Sequence, residues 1–300
     1  MKWMYSFFMD RPRLGGIVLR GVGIGLVCCF CIGFAYASGK EGINIQPISV
    51  FVSIQPQAYF VKRIGGDHVR VEILVRPGAS PATYAPTPKQ MARLAAARVF
   101  FRIGVPFEHS LLVKIRRTMP GLLIVDTSAG LKHRQITGKN ELDPHTWMDP
   151  MLVKQQGRVI LQTLEKIDPR NQDEYEKNYT KFAADLDALD ARIRKELKKS
   201  IGKTIFVYHP AYGYFCRAYG LHQKAVEAGG REPSSKQLVH LIEQAKKEGV
   251  RVIFVQPQFS KKKAQVIAGA IGGTVMVFDP LAYDYINNLD QVAKRLAKAL

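Results

Sequence analysis

Residues 168–202 read DPRNQDEYEKNYTKFAADLDALDARIRKELKKSIG, and the partition of the whole chain turns on them. Asp168-Pro169 suits a helix start, because proline's fixed φ and missing N–H cost nothing in the first turn. Beyond it Tyr175, Tyr179, Phe182, Leu186, Leu189, Ile193 and Leu197 follow one another at spacings of 4, 3, 4, 3, 4 and 4. That is the rhythm of one continuous apolar stripe on an α-helix. At about 1.5 Å of rise per residue such a helix spans roughly 40 Å, the width of a whole lobe. Gly202 ends it.

On either side the pattern changes. Before the helix, short apolar or β-branched runs, VFVSI (50–54), VRVEILV (69–75), RVFFRI (98–103) and LLIVDT (122–127), alternate with helix-like segments at 56–64, 88–97 and 107–118. After it come KTIFVYH (203–209), a helix from 211, a strand around 221–226, a helix at 234–248, RVIFVQ (251–256), a helix at 260–270, TVMVFD (274–279) and a closing helix at 287–299. Strand-helix alternation of this kind builds a mostly parallel sheet covered by helices. The expected fold class is therefore α/β with two lobes, each a mostly parallel sheet flanked by helices, joined by one long rigid helix. The corresponding segments are an N-terminal lobe at 46–168, the linking helix at 169–201 and a C-terminal lobe at 202–300, without an internal sequence repeat.

The first 37 residues differ in kind. Lys2, Arg11, Arg13 and Arg20 precede an uncharged apolar run, Gly21 to Phe34, which leads into Ala35-Tyr36-Ala37, a small-x-small cleavage pattern; residues 1–37 read as an export signal peptide. The alternative is an uncleaved anchor, since Gly21 to Ala37 lies at the short edge of what spans a bilayer. Cys28, Cys29 and Cys31 leave with the signal, and Cys216 alone cannot form an internal disulfide. The GVGIG of residues 21–25 sits inside the signal with no strand before it, so it is not a nucleotide loop. Cleavage would lower the net charge from +19 to +16. In an exported protein such a charge does not indicate nucleic acid. The clusters at Arg192 to Lys199 and Lys261-Lys262-Lys263 read first as solvated faces and second as attraction to an anionic membrane surface.

In parallel α/β sheets ligands collect at the carboxyl ends of strands. His209 closes KTIFVYH, Asp279 closes TVMVFD, and His145 lies in the loop DPHTWMDP (143–150) near the end of the first unit. Any one of these alone is more readily explained by capping or packing; together they are three metal-competent groups that a cleft between lobes would collect. Tyr212, Tyr214 and Phe215 read as the packing around His209 rather than as an aromatic site for an organic ligand.

Taken together, IQPQAYFVKRIGGDHVRVEILVRPGASPATYAPTP (54–88), DPHTWMDP, YHPAYGYFCRAYGL (208–221), EPSSKQL (232–238), FVQPQFS (254–260) and FDPLA (278–282) resemble the substrate-binding proteins of zinc and manganese ABC importers, in colinear order over residues 46–300. The resemblance implies two α/β lobes joined by one long helix, with a metal held between them and delivered to an inner-membrane permease. It assigns metal ligation to His145, His209 and Asp279. The family's first ligand does not carry over: its G-x-D-P-H-x-Y-E-P-T-P pattern meets GASPATYAPTP, so Ser80 stands for the aspartate, Ala82 for the ligand histidine and Ala85 for the glutamate. Three protein ligands with an open position remain zinc chemistry, and water, a second oxygen of Asp279, or Tyr84 or Glu108 moving in would complete the shell. Gln256 replaces a glutamate common in the F-x-E-P-Q-F-S stretch. The acidic, histidine-rich loop of some zinc-specific relatives is absent, since TSAGLKHRQITGKNEL (127–142) holds only His133. His68, His109, His133, His222 and His240 read as non-ligands.

The expected function is that of a periplasmic receptor, monomeric and not an enzyme, that binds a divalent ion, Zn²⁺ first and Mn²⁺ second, for an ABC importer. Two other classes stay open. An exported metallohydrolase also needs two His, one Asp and an open position, yet no HExxH and no suitably spaced general-base glutamate is present. The same fold with an altered ligand, a metal chelate or small organic molecule, is favoured by Ala82, which opens room, and opposed by the retention of His145, His209 and Asp279.

Overall fold

The computed structural model describes residues 46–136, 141–227 and 235–300. The export-signal reading of residues 1–37 lies outside them, as does part of the EPSSKQL motif.

Two four-stranded sheets form, every pairing parallel. The first contains β1 (Ile48–Val52), β2 (Val69–Ile73), β3 (Val99–Arg102) and β4 (Leu123–Asp126) in the order β2-β1-β3-β4. The second repeats that order as β6-β5-β7-β8, from β5 (Thr204–Val207), β6 (His222–Ala225), β7 (Val252–Val255) and β8 (Thr274–Val277). The inner strands are the most apolar, with Val50, Val52, Val99, Phe100, Phe101 and Val207 fully buried, as a parallel strand covered on both faces requires. Each sheet reverses its winding between its two inner strands, β1 and β3 in one, β5 and β7 in the other. Ligands gather beyond the carboxyl ends of strands at such a switch point.

The helices are α1 (Gln55–Gly65), α2 (Pro88–Ala95), α3 (Glu108–Thr118), α4 (Pro150–Ile167), α5 (Gln172–Leu197), α6 (Gly213–Tyr219), α7 (Ser235–Lys247), α8 (Lys261–Ala270) and α9 (Tyr285–Ala299). The long helix is α5, 26 residues with its whole apolar stripe buried. Asp168 shapes its entry by accepting hydrogen bonds from Tyr175 Oη (2.7 Å) and Asn171 Nδ2 (2.6 Å). Residues 150–167 belong to none of the strands and helices expected from the sequence. They form α4, which starts at Pro150 with the Asp149 carboxylate capping Met151 N–H (2.9 Å) and packs along α5. At Gly157 a Cβ would stand 3.2 Å from the Tyr179 ring, so only glycine lets α4 and α5 come this close without displacement.

Helix α9 also lies along α5. The Tyr285 ring meets Phe60 of α1 edge-on at 4.9 Å, and one apolar core runs from β1 through α4 and α5 to β5 and α9. A smaller cluster around Ile253 and Ile267 packs elsewhere on the second sheet. The lobes are thus fused through a shared core. Phe182 sits at its centre, fully buried against Tyr59 and Phe60 with the Arg63 guanidinium over its ring. Phe182→Ala is expected to lower unfolding stability by about 3–5 kcal/mol through lost burial and the cavity left behind, measured by urea denaturation.

Candidate metal centre

Chain segments leaving four strands converge on one cavity of about 440 Å³. Val105 and Pro106 enter it after β3, His209 and Pro210 after β5, Gln256 and Gln258 after β7, and Pro280 and Leu281 after β8. Ala82 lines it from the β2–α2 loop.

His145 and His209 meet there, although 64 residues apart in sequence. Their Nε2 atoms are 3.3 Å apart and their rings are inclined at 71°. Each imidazole is oriented from behind. Nδ1 of His145 lies 2.7 Å from Asp143 Oδ1, which also accepts from the His145 backbone N–H (3.0 Å). Nδ1 of His209 lies 3.0 Å from Glu227 Oε2. A carboxylate can only accept, so each Nδ1 carries the hydrogen, and a neutral ring then presents its Nε2 lone pair. Two such lone pairs at 3.3 Å repel unless a proton or a metal cation lies between them. Two nitrogens each about 2.05 Å from a tetrahedral zinc ion would stand about 3.3 Å apart. The side chains are 12% and 22% exposed, open to the cavity and otherwise enclosed.

The support is built outward from these rings. Asp143 is buried and its Oδ2 accepts from Arg134 Nη1 (3.0 Å). Burial alone would raise its carboxyl; neighbouring His145 and Arg134 outweigh that and hold it below the ordinary range. Tyr214 Oη donates to Asp143 O (2.9 Å) and accepts from Arg134 N (3.0 Å). A Cβ on Gly213 would collide with the Arg134 guanidinium, so the glycine gives that side chain its path to Asp143. Burial pushes the His209 imidazole below its usual value, His145 adds to this and Glu227 opposes it; a ring kept neutral is the form that binds metal. Phe259 stacks on His209 at 5.1 Å. Gln256 brackets the His209 backbone, Oε1 accepting from its N–H (3.1 Å) and Nε2 donating to its C=O (2.7 Å). An amide can do both, whereas a carboxylate cannot donate.

Asp279 is placed differently. Its Oδ1 accepts from Leu281 N (2.9 Å) and Gln258 Nε2 (3.1 Å), capping the turn after β8. Among the described residues no group of three His, Cys, Asp or Glu side chains stands together to hold a metal; of the three residues picked from the sequence, the structure brings the two histidines together. The candidate extra ligands are engaged elsewhere. Tyr84 Oη donates to Gln90 (2.8 Å). Glu108 is buried behind β1 and β3, accepting from Ser53 Oγ (2.5 Å), Ile103 N (2.9 Å) and Gly104 N (2.8 Å). Glu108→Ala orphans these buried donors and is expected to cost about 3 kcal/mol of stability while leaving zinc affinity within threefold, as paired denaturation and titration experiments would show. His68 pairs with Glu174 (2.8 Å), and His109, His222 and His240 are exposed. Asp143 and Glu227, the carboxylates behind the two rings, are not among the residues singled out from the sequence. Asp143 was legible in principle, two positions before His145, whereas nothing in the sequence ties Glu227 to His209.

A family model described as zinc-uptake complex component A, periplasmic (ZnuA), matches residues 50–299. The chain belongs to this family. The high-affinity zinc uptake system protein ZnuA of Bacillus subtilis (strain 168) is 28% identical over 277 residues, covering 85% of this chain and 86% of that one. A crystal structure of ZnuA aligns with a TM-score of 0.81 at 38% identity, covering 84% of this chain and 99% of the other. The binding protein FpvC of Pseudomonas aeruginosa, in complex with Mn²⁺, aligns with a TM-score of 0.75 at 26% identity, over 84% of this chain and 98% of the other.

Proposed function

We propose that this protein is an extracytoplasmic receptor that captures a divalent transition metal between its lobes and delivers it to an ABC importer. The observation that carries the reading is the pair of Nε2 atoms 3.3 Å apart, each imidazole held by its own carboxylate. Such carboxylate-backed histidines are the usual support of a metal ligand. Nitrogen donors favour zinc over manganese, in keeping with the zinc named for the Bacillus subtilis relative. The finer reading places the receptor in the periplasm as a monomer, beside an inner-membrane permease and without catalytic turnover. His145 and His209 are its principal ligands. Asp279 is the third in this reading, and joining them requires release from Leu281 and Gln258, so Asp279→Ala is expected to weaken binding less than loss of either histidine.

Metal analysis of protein lacking residues 1–37, purified without chelators, tests the reading, followed by titration of the stripped protein with Zn²⁺ and Mn²⁺. One equivalent of zinc, bound more tightly than manganese, is expected. Absence of any metal binding would overturn the proposal.

A further inference from the structure

Resting on the metal-receptor reading, we infer that this cleft takes its metal as a complex with a small amino-acid-type chelator, which supplies the coordination positions the protein leaves open. Three observations converge on this. First, the donor count is short. His145 and His209 present two nitrogens, among the described residues no third His, Cys, Asp or Glu joins them, and the Asp279 carboxylate caps its own turn. Tetrahedral zinc wants four donors, so while Asp279 stays in its turn two positions remain, and a bidentate N,O chelator fills both in place of Asp279.

Second, the space is wrong for an ion alone. A cavity of about 440 Å³ falls within the roughly 300–1,000 Å³ range of pockets for small organic ligands, and a water molecule occupies only about 30 Å³ of liquid. A metal with two waters would leave most of that volume unfilled. Third, the walls suit an organic body. Val105, Pro106, Trp147, Phe259 and Leu281 offer apolar surface beside the histidine pair, and Gln258 and Thr83 place polar groups in the same lining. Ala82 contributes to the room, its methyl occupying a lining position where a larger side chain would intrude.

The coordination works without redox chemistry. The chelator's amino group loses a proton to solvent and its nitrogen and carboxylate oxygen donate lone pairs to the metal, while both imidazoles bind through Nε2.

Equilibrium dialysis of the metal-stripped protein against radiolabelled L-histidine, with and without one equivalent of Zn²⁺, tests this. We expect about one histidine retained per protein with zinc present, little without it, and at least a tenfold gain in apparent zinc affinity when histidine is added. Ala82→Trp, at an exposed loop position in the cavity lining, is expected to cut zinc-dependent histidine retention at least tenfold by narrowing the cavity. Zinc bound with an apparent affinity that added histidine leaves unchanged, with no histidine retained beside it, would overturn this inference and leave the metal-receptor reading standing. Histidine held equally well without zinc, or retention indifferent to Ala82→Trp, would also overturn it. Failure to retain zinc under either condition would overturn both.

Discussion

Replacing His145 and His209 together by alanine is expected to lower zinc affinity by about four orders of magnitude. A structural zinc site of four ligands is worth about 10–16 kcal/mol, so each ligand contributes on the order of 3 kcal/mol, or about a hundredfold at 1.4 kcal/mol per tenfold. The two losses add only if both imidazoles bind the same ion, a geometry that the 3.3 Å approach of their Nε2 atoms suits. The fold should survive, because neither ring belongs to the apolar core. Competition against a chromophoric zinc chelator reads the affinity and far-ultraviolet circular dichroism checks the fold. A double variant within tenfold of wild type would remove these histidines from the site.

Removing the carboxylate behind His145 acts through the ring rather than on the metal. Asp143→Ala is expected to lower zinc affinity 10- to 100-fold, the usual cost of losing an outer partner of a ligand histidine. It takes away the acceptor that fixes the Nδ1–H tautomer and the cap on the His145 backbone N–H. It also leaves Arg134, which is partly solvated, without its partner, so a stability loss of about 2 kcal/mol accompanies it. Nitrogen-15 shifts of the His145 ring separate positioning from general damage. In the wild type Nδ1 is protonated; in the variant the tautomers mix, and zinc affinity falls with that mixing. A variant that binds zinc normally while its tautomers mix would show that Asp143 serves only the local fold. Asp143→Asn keeps the shape but turns an amide toward either the His145 N–H groups or the Arg134 guanidinium, all of them donors, and is expected to fall between the two.

The two histidines were legible in the chain because their placement is a local matter. His209 follows a strand whose apolar run is unmistakable, and His145 sits between two Asp-Pro pairs that force turns. The linking helix was equally plain, since its stripe holds register over many turns and needs only periodicity to be seen. What escaped was whatever depends on partners distant in sequence. Helix α4 was missed because its apolar residues bury against α5 and its start is set by the Asp149 cap. The return of α9 onto α5 and α1 depends on Phe60 meeting Tyr285, a contact that no spacing announces.

The site shows the same division. The two parallel sheets, the helix between them and the chemical types offered at the strand ends follow from short-range pattern, because periodicity and turn residues act over a few positions. Which donors meet is set by long-range packing. It drew His145 and His209 together across the cleft, set Glu227 behind one ring, turned Gln256 onto the His209 backbone, and let Leu281 and Gln258 hold Asp279 in a turn. Those outcomes rest on hydrogen-bond directions and side-chain reach between segments brought together by packing, and neither is encoded in the spacing of residues along one segment.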